Sequence, residues 1–184
     1  GPVDPSAIAV DRDGRMAYVA LPEAGQVAFV DLADRQVTAR VDVGRWPRHL
    51  ALSPDGAHLA VATSGDGGVS VVDVKNRKLL YQEKFTGLNI GQMEISADGR
   101  YVCFPWIIYR RSPITAANIR LGWVLASRIG RVRMDGPARR EAVSLDPRGE
   151  AIADPYGLAL THDQQRIVMT ASGTHELLLY HAPD

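Results

Sequence analysis

His49–Ala62 reads HLALSPDGAHLAVA, and this stretch decides the fold. Leu50 and Leu52 alternate with smaller or polar residues, which is the pattern of a β-strand with one buried face. A tight turn follows at Ser53–Gly56, because proline presets φ at the second turn position and glycine accepts the left-handed conformation after the aspartate. Apolar residues alternate again from Leu59 onwards, so the stretch predicts a β-hairpin.

The hairpin pattern occurs four times along the chain. Besides the quoted stretch, it reads AIAVDRDGRMAYVA from Ala7, QMEISADGRYVCFP from Gln92 and GLALTHDQQRIVMT from Gly157. The first three turn aspartates, Asp13, Asp55 and Asp98, lie 42 and 43 residues apart, and the fourth follows 65 residues later because the third unit carries an insertion. Self-similarity at a fixed period of this length indicates a repeat architecture.

Each unit continues beyond its hairpin. A third strand reads GQVAFVDL from Gly25 and GVSVVDV from Gly68, and fourth strands are predicted at Val37–Val43 and Leu79–Phe85. Four strands in about 42 residues is the period of a β-propeller blade. The sequence therefore predicts an all-β fold: a partial β-propeller of about four blades, with four-stranded antiparallel sheets and a loop or short-helix insertion in the third blade. A single domain, 1–184, divides into blade 1 at about 5–45, blade 2 at about 46–88, blade 3 with the insertion at about 89–154, and an incomplete blade 4 at about 155–184.

The repeat resembles the YVTN repeat family over nearly the whole chain outside the insertion. The resemblance rests on the Ser53–Gly56 turn, on the second strand at Tyr18–Ala20, and on a third strand that ends Val-Val-Asp at Asp73. It implies a β-propeller, commonly of seven blades, and an extracytoplasmic location, periplasmic or secreted; some relatives lie beside haem-containing electron-transfer or peroxidase modules. The chain departs from the pattern at Gln164, where glycine is expected, and a left-handed glutamine costs about 1 kcal/mol there.

The predicted strands leave the ring incomplete. The first unit starts with its innermost strand, and the last unit ends near Leu177–Tyr180, which matches a third strand. An open propeller end presents unpaired backbone groups and an apolar face. We therefore expect a fragment whose missing blades belong to a parent chain, or a protein whose copies self-associate through their open ends.

Composition limits the partners. Lys plus Arg and Asp plus Glu both number 21, so no global charge steers the chain toward nucleic acid, and an electrostatic partner must be met by a local patch. No apolar run reaches the roughly 20 residues that span a bilayer. The single cysteine, Cys103, excludes a cysteine-rich zinc site and paired-cysteine haem attachment, and no His-x-His or His-Glu-x-x-His spacing indicates a metal. We expect no nucleic acid partner, no membrane span, no metal and no cofactor.

The densest basic stretch, residues 128–140, contains five arginines. It lacks the interleaved aromatic residues that accompany nucleic acid binding. We expect Arg131 and Arg133 to lie on a solvated outer strand and to pair with Asp135 and Glu141.

The insertion lies between the second and third strands of the third unit, near Pro105–Arg128. Within it, Thr115 is a candidate cap for a short helix that Gly122 ends. In a propeller this connection shares a face with the crossings between blades, and loops on such a face commonly bind ligands. The candidate ligand-binding or partner-binding residues are Trp46, Arg48, His49, Asn89, Trp106, Tyr109, Arg110, Arg111, Tyr156 and His175.

A simpler interpretation stays open for several of these side chains. Trp46, Trp106 and Trp123 are of a type that often packs over the seams between blades. His49 lies beside an inner strand, where a structural histidine is common, and a pair such as Arg110 and Arg111 is often only solvated.

Two functional hypotheses follow. The first is a non-catalytic binding or scaffold module that docks a protein partner or small ligand on the insertion-bearing face, next to a haem redox module by family analogy. The alternative is a hydrolase or lactonase-like propeller enzyme with a site at the central channel, for which His49, Asp66, Asp154 and His175 are available. A fragment without activity of its own is a third interpretation. No catalytic residue is predicted, since no nucleophile motif such as Gly-x-Ser-x-Gly is present.

Overall fold

The computed structural model describes residues 4–85, 87–136, 141–147 and 150–182. Over these ranges the chain forms sixteen strands and one short helix. The strands make four antiparallel sheets, of four, four, five and three strands in chain order. The predicted all-β, blade-like architecture is therefore confirmed.

The first two sheets each follow the order of the chain. The first contains β1 (Ala7–Val10), β2 (Met16–Leu21), β3 (Gln26–Asp31) and β4 (Gln36–Asp42), and the second contains β5 (Pro47–Leu52), β6 (His58–Thr63), β7 (Gly68–Asp73) and β8 (Lys78–Lys84). The middle strands are buried on both faces, since five of the six residues in β6 and five of the six in β7 are buried. Tyr18 and Phe29 are cross-strand partners, and their rings meet edge to face with centroids 5.1 Å apart.

The third and fourth sheets depart from the four-strand pattern. The third contains β9 (Gly87–Leu88), β10 (Glu94–Ile95), β11 (Tyr101–Tyr109), β12 (Leu125–Arg133) and β13 (Glu141–Ser144), and the fourth contains β14 (Pro155–Leu160), β15 (Arg166–Ala171) and β16 (Glu176–His181). The short strand β9 pairs with the far end of β11, a pairing that the repeat pattern did not predict.

The insertion is a longer hairpin with a helix at its tip. β11 and β12 have nine residues each, against six in β6 and β7. The helix α1 (Ala116–Arg120) has Thr115 as its cap, whose hydroxyl accepts a hydrogen bond from the backbone N–H of Asn118 at 3.1 Å. Gly122 follows with φ +69°. The predicted helix is confirmed, whereas the predicted loops beside it are strands, because apolar residues at 107–109 and 124–126 continue the ladder.

Buried side chains fill the space between successive sheets. The cluster between the first and second sheets includes Phe29 and Leu59, the next includes Phe104, and the last includes Met169. Each such side chain stabilises the fold by roughly 1.5–3 kcal/mol when fully buried. Strands β1, β5, β10 and β14 contact one another in that order, so the inner strands of the four sheets line one axis.

Gln164 has the left-handed conformation that its place in the repeat requires, with φ +60°. Its side chain offsets part of the resulting strain. The carbonyl Oε1 accepts a hydrogen bond from the backbone N–H of Ala97 at 2.9 Å, and Nε2 donates to the carbonyl of Thr161 at 3.0 Å. The glutamine therefore ties the turn of the fourth sheet to that of the third, a contact that glycine cannot make.

Candidate functional site

One end of the four sheets carries both the crossings between sheets and the turns between second and third strands. We call it the crossover face; the crossings are residues 43–46, 87–90 and 150–154, and the turns are 22–25, 64–67, 110–124 and 172–175. Backbone hydrogen bonds join the two sets: Gly65 donates to Arg45 at 3.0 Å, and Gly173 donates to Ala153 at 3.1 Å. In the third sheet, the N–H of Ala151 in the crossing donates to the carbonyl of Arg120 in the insertion at 2.8 Å, so the insertion lies on the same face as the crossings, as the sequence predicted.

A cavity of about 750 Å³ opens on the crossover face beside the inner strands. We call it the axial pocket. Its lining residues are Ser6, Ala7, Trp46, Arg48, His49, Ser64, Leu88, Asn89, Ile90, Ile107, Asp154, Pro155, Tyr156 and Ser172. All four sheets contribute to it, and it brings together Trp46, Arg48, His49, Asn89 and Tyr156 of the predicted site residues.

Three residues at equivalent places in successive crossings have positive φ. They are Trp46 at +52°, Asn89 at +50° and Asp154 at +51°. Asparagine and aspartate tolerate this conformation, whereas a bulky side chain there is an outlier. Trp46 is also 51% exposed, and the Arg45 guanidinium lies 5.6 Å from its ring centroid. Neither the backbone nor burial therefore accounts for a tryptophan at this position.

His49 and Tyr156 meet inside the axial pocket. Their rings contact edge to face, with centroids 5.5 Å apart and planes at 74°. Burial, and after it the positive charge of Arg48, lowers the pKa of His49 below its usual value. The imidazole is therefore neutral at pH 7, with one nitrogen that donates and one that accepts a hydrogen bond. Beside it stand a guanidinium, an amide and a phenol.

A second cavity of about 390 Å³ lies against the walls of the inner strands, and His49 lines both cavities. Its lining also includes Glu94. Alanine occupies the position equivalent to Glu94 in the other three units, at Ala9, Ala51 and Ala159. Burial raises the pKa of the Glu94 carboxyl. The site prediction missed Glu94, although its departure from the alanine of the repeat was a visible signal.

Trp106 lies outside the pocket. It is 4% exposed and packs against Phe85 with ring centroids 5.2 Å apart, between the second and third sheets. Its surroundings match the simpler packing interpretation. Trp46 and Trp123 are both about half exposed, so they do not cover a seam in this way.

The remaining candidates also stand apart from the axial pocket. Tyr109, Arg110 and Arg111 are exposed on the insertion, and His175 is exposed at the turn before β16. His175 has φ +58° at the place where Gly25 and Gly67 occur in the first two units.

Arg131 and Arg133 of the basic stretch are paired as the sequence predicted, but their strand is not the outer one, because β13 pairs with β12 on its far side. Arg139 and Arg140 lie outside the described residues. Arg131 Nε donates to Glu141 at 2.6 Å, and Arg133 Nε donates to Asp135 at 2.8 Å. Within the described ranges, no group of three or more His, Cys, Asp or Glu side chains is placed to hold a metal ion. The helix in those ranges is too short to cross a bilayer.

Comparison with known sequences places the chain among repeat propellers. The family described as Lactonase, 7-bladed β-propeller, matches residues 1–93, half of the chain. An uncharacterized WD repeat-containing protein of Synechocystis sp. is 27% identical over 108 residues, which cover 59% of this chain and 28% of that protein.

Solved structures show the same fold at low sequence identity. The hydrazine synthase of Kuenenia stuttgartiensis superposes with a TM-score of 0.60 at 19% identity, over 97% of this chain and 65% of that one. A proposed 6-phosphogluconolactonase of Bacteroides uniformis gives 0.68 at 14% identity over 97% and 50%, and a functionally unknown protein of Desulfotomaculum acetoxidans gives 0.66 at 17% over 98% and 56%. The chain thus spans less than two thirds of the length of each of these proteins. With the repeat, the four sheets and the family match together, the chain belongs to the family of seven-bladed β-propeller lactonases.

Proposed function

We propose that the chain is a non-catalytic binding module that holds a ligand or a protein side chain in the axial pocket of the crossover face. The observation that carries the proposal is Trp46. Its left-handed backbone costs roughly 1–3 kcal/mol, and half of its surface faces solvent. A tryptophan that is both left-handed and half exposed, at the rim of a pocket, supports a contact with something outside the chain.

The chemistry around Trp46 selects the ligand class. Arg48 supplies a cation, and neutral His49 and Asn89 supply hydrogen-bond donors and acceptors. The indole of Trp46 and the phenol of Tyr156 supply aromatic faces that stack on a planar group. The pocket lining also contains the carboxylate of Asp154, so the ligand is a planar group whose anionic part faces Arg48, such as an aromatic carboxylate, or the acidic and aromatic side chains of a protein partner.

Titration with benzoate tests the pocket. In a Trp123→Phe background, Trp46 is the exposed tryptophan of the described residues, so its fluorescence reports on the pocket. We expect saturable quenching that Arg48→Gln weakens and that the control Arg15→Gln, on the opposite face, leaves unchanged. Absence of a saturable response, or equal responses of the two variants, would contradict the proposal.

Family membership and Glu94 favour a second candidate, a lactone or ester hydrolase with its site at the second cavity. Burial raises the pKa of Glu94 toward the range in which a side chain can transfer protons near neutral pH, and it lowers the pKa of His49, which leaves a neutral imidazole that can accept a proton. The general base would take a proton from the water that attacks the carbonyl, and the protonated base would then give that proton to the leaving alkoxide. Hydrolysis of glucono-δ-lactone that Glu94→Gln and His49→Gln abolish, and that Glu23→Gln retains, would favour the enzyme over the binding module.

We also propose that these blades are YVTN-type repeats of a larger ring, whose other blades or a second copy cover the free faces of the outer sheets. Ile8 on β1, and Leu177 and Leu179 on β16, are among the most exposed large apolar side chains described. Light scattering would report the mass. A monomer with the same mass before and after Leu177→Ser and Leu179→Ser would rule out self-association through β16. A haem redox module is the protein partner that the family resemblance supports, and a Cys-x-x-Cys-His motif in the parent chain would favour it.

A further inference from the structure

The insertion exposes five large apolar side chains. Tyr109 and Leu125 are direct cross-strand partners on β11 and β12, and Trp123 lies two residues before Leu125 on the same side of the chain. All three are exposed, and so are Ile114 and Ile119 near the helix. Ile114, at 72%, is among the most exposed apolar residues described. We call these five side chains, with the arginines among them, the insertion tip.

The charge of the insertion is of one sign. Residues 105–128 contain four arginines, no lysine and no aspartate or glutamate, although acidic and basic residues are equal in number over the chain. Arg128 pairs with Asp146 at 3.4 Å. Arg110, Arg111 and Arg120 are exposed, and none of the three forms an ion pair with a described residue.

The insertion tip is held in place by backbone contacts. The carbonyl of Arg120 accepts a hydrogen bond from the N–H of Ala151 at 2.8 Å, and Trp123 donates to the carbonyl of Asn118 at 2.8 Å. Arg110 continues the ladder by donating to Val124 at 2.8 Å. The exposed side chains are therefore presented by an ordered segment, so binding through them orders little additional backbone.

We infer that the insertion tip docks on an anionic lipid surface. Tryptophan and tyrosine prefer the boundary between headgroups and acyl chains, where isoleucine and leucine side chains can enter the apolar layer. The three exposed arginines complement anionic headgroups. Of the two acidic residues beside the insertion, Asp146 pairs with Arg128 and Glu150 is exposed, so the arginines outnumber the free carboxylate. A protein partner would present a specific pattern of charged and apolar groups. An anionic bilayer presents one charge sign above an apolar layer, and the arginines and apolar side chains of the insertion tip match that arrangement better. The three additional residues of each strand extend the hairpin by roughly 10 Å, which is close to the depth of interfacial insertion.

Vesicle co-sedimentation tests the inference. We expect binding to vesicles of phosphatidylcholine with phosphatidylglycerol, and much weaker binding to phosphatidylcholine alone. Each basic side chain near an anionic membrane strengthens binding roughly fivefold, so the double change Arg110→Gln and Arg111→Gln should weaken it roughly 25-fold. The matched control, Arg12→Gln with Arg15→Gln at a turn on the opposite face, should bind like the unmodified chain.

The apolar contribution has its own test. Ile114→Ser with Ile119→Ser should reduce binding at low and high salt alike, whereas the arginine changes should matter less at high salt. The matched control is Leu79→Ser with Leu80→Ser, two partly exposed leucines on β8. Tryptophan emission should shift to the blue on binding, and Trp123→Phe should remove the shift. If the unmodified chain does not bind anionic vesicles, or if both arginine pairs weaken binding equally, the inference is wrong and the insertion tip is a surface for a protein partner.

Discussion

Replacing Glu94 by alanine should stabilise the protein at pH 7. Glu94 is half-buried on the wall of the second cavity, and no described residue forms a hydrogen bond or ion pair with its side-chain carboxyl. Its cross-strand partner is Cys103, which packs in the cluster between the third and fourth sheets. Alanine at Ala9, Ala51 and Ala159 shows that the smaller residue fits the same place in the fold.

The magnitude follows from the loss of solvation. A fully buried polar group without a partner costs roughly 1–3 kcal/mol, and half burial reduces the cost to about 1 kcal/mol. In a chain of this size, a change of that order shifts Tm by about 2–4 °C.

The effect should depend on pH with a defined sign. Burial raises the pKa of folded Glu94 above its unfolded value of about 4.3. The folded state therefore binds more protons between the two pKa values, and the free energy of unfolding falls as pH rises through that window. The contribution is fully present below the unfolded pKa and is lost above the folded pKa.

Urea unfolding of four proteins at pH 4 and pH 7 measures the effect. Glu94→Ala should exceed the unmodified chain by about 1 kcal/mol at pH 7. The isosteric Glu94→Gln removes the charge but keeps an unpaired polar group, so its advantage at pH 7 should be smaller, and it should shrink at pH 4. The exposed Glu23→Gln is the control and should show no advantage at either pH. If Glu94→Gln is no more stable at pH 7, or if its advantage is the same at both values, the desolvation argument is refuted.

Three further changes test other contacts by the same unfolding measurement. Gly130→Ala would place a Cβ 2.6 Å from the ring of Phe104 and should lower the free energy of unfolding by about 1–3 kcal/mol. Gly136→Ala, with open space around it, should stay within about 0.5 kcal/mol of the unmodified chain. Equal effects of the two variants would contradict the close packing of Gly130 against Phe104. Asp146→Ala removes the partner of Arg128 and the acceptor of two backbone N–H groups, and should cost about 2–4 kcal/mol, with Asp146→Asn costing less. Gln164→Ala loses two hydrogen bonds and keeps the strain, so it should be less stable than Gln164→Gly, which loses the same bonds without the strain, by about 1 kcal/mol; the reverse order would contradict the strain assigned to the left-handed backbone.

The blades were predictable because their signals are local. The turn at Ser53–Gly56 and the cap at Thr115 each depend on a few neighbouring residues, and the repeat then places every copy. The burial of Trp106 and the exposure of Trp46 and Trp123 were not predictable, since these depend on contacts between sheets that composition and spacing do not encode.

The candidate site was partly predictable for the same reason. Once the repeat was aligned, the crossings that carry Trp46 and Asn89 and the start of the strand that carries Tyr156 had to share one end of the sheets. The left-handed backbone at Trp46 had no sequence signal, because asparagine or aspartate would be expected at such a position. Glu94 had a signal in the alignment of the units, but only its burial shows why the departure from alanine matters.

The equivalent crossings at Trp46, Asn89 and Asp154 give the rim of the axial pocket an unusual freedom. An indole, an amide and a carboxylate occupy positions with nearly the same φ, so the strands behind these positions keep the same arrangement with three different side chains at the rim. Substituting the residue of one crossing by that of another is therefore a way to change which ligand the axial pocket binds without redesigning a blade.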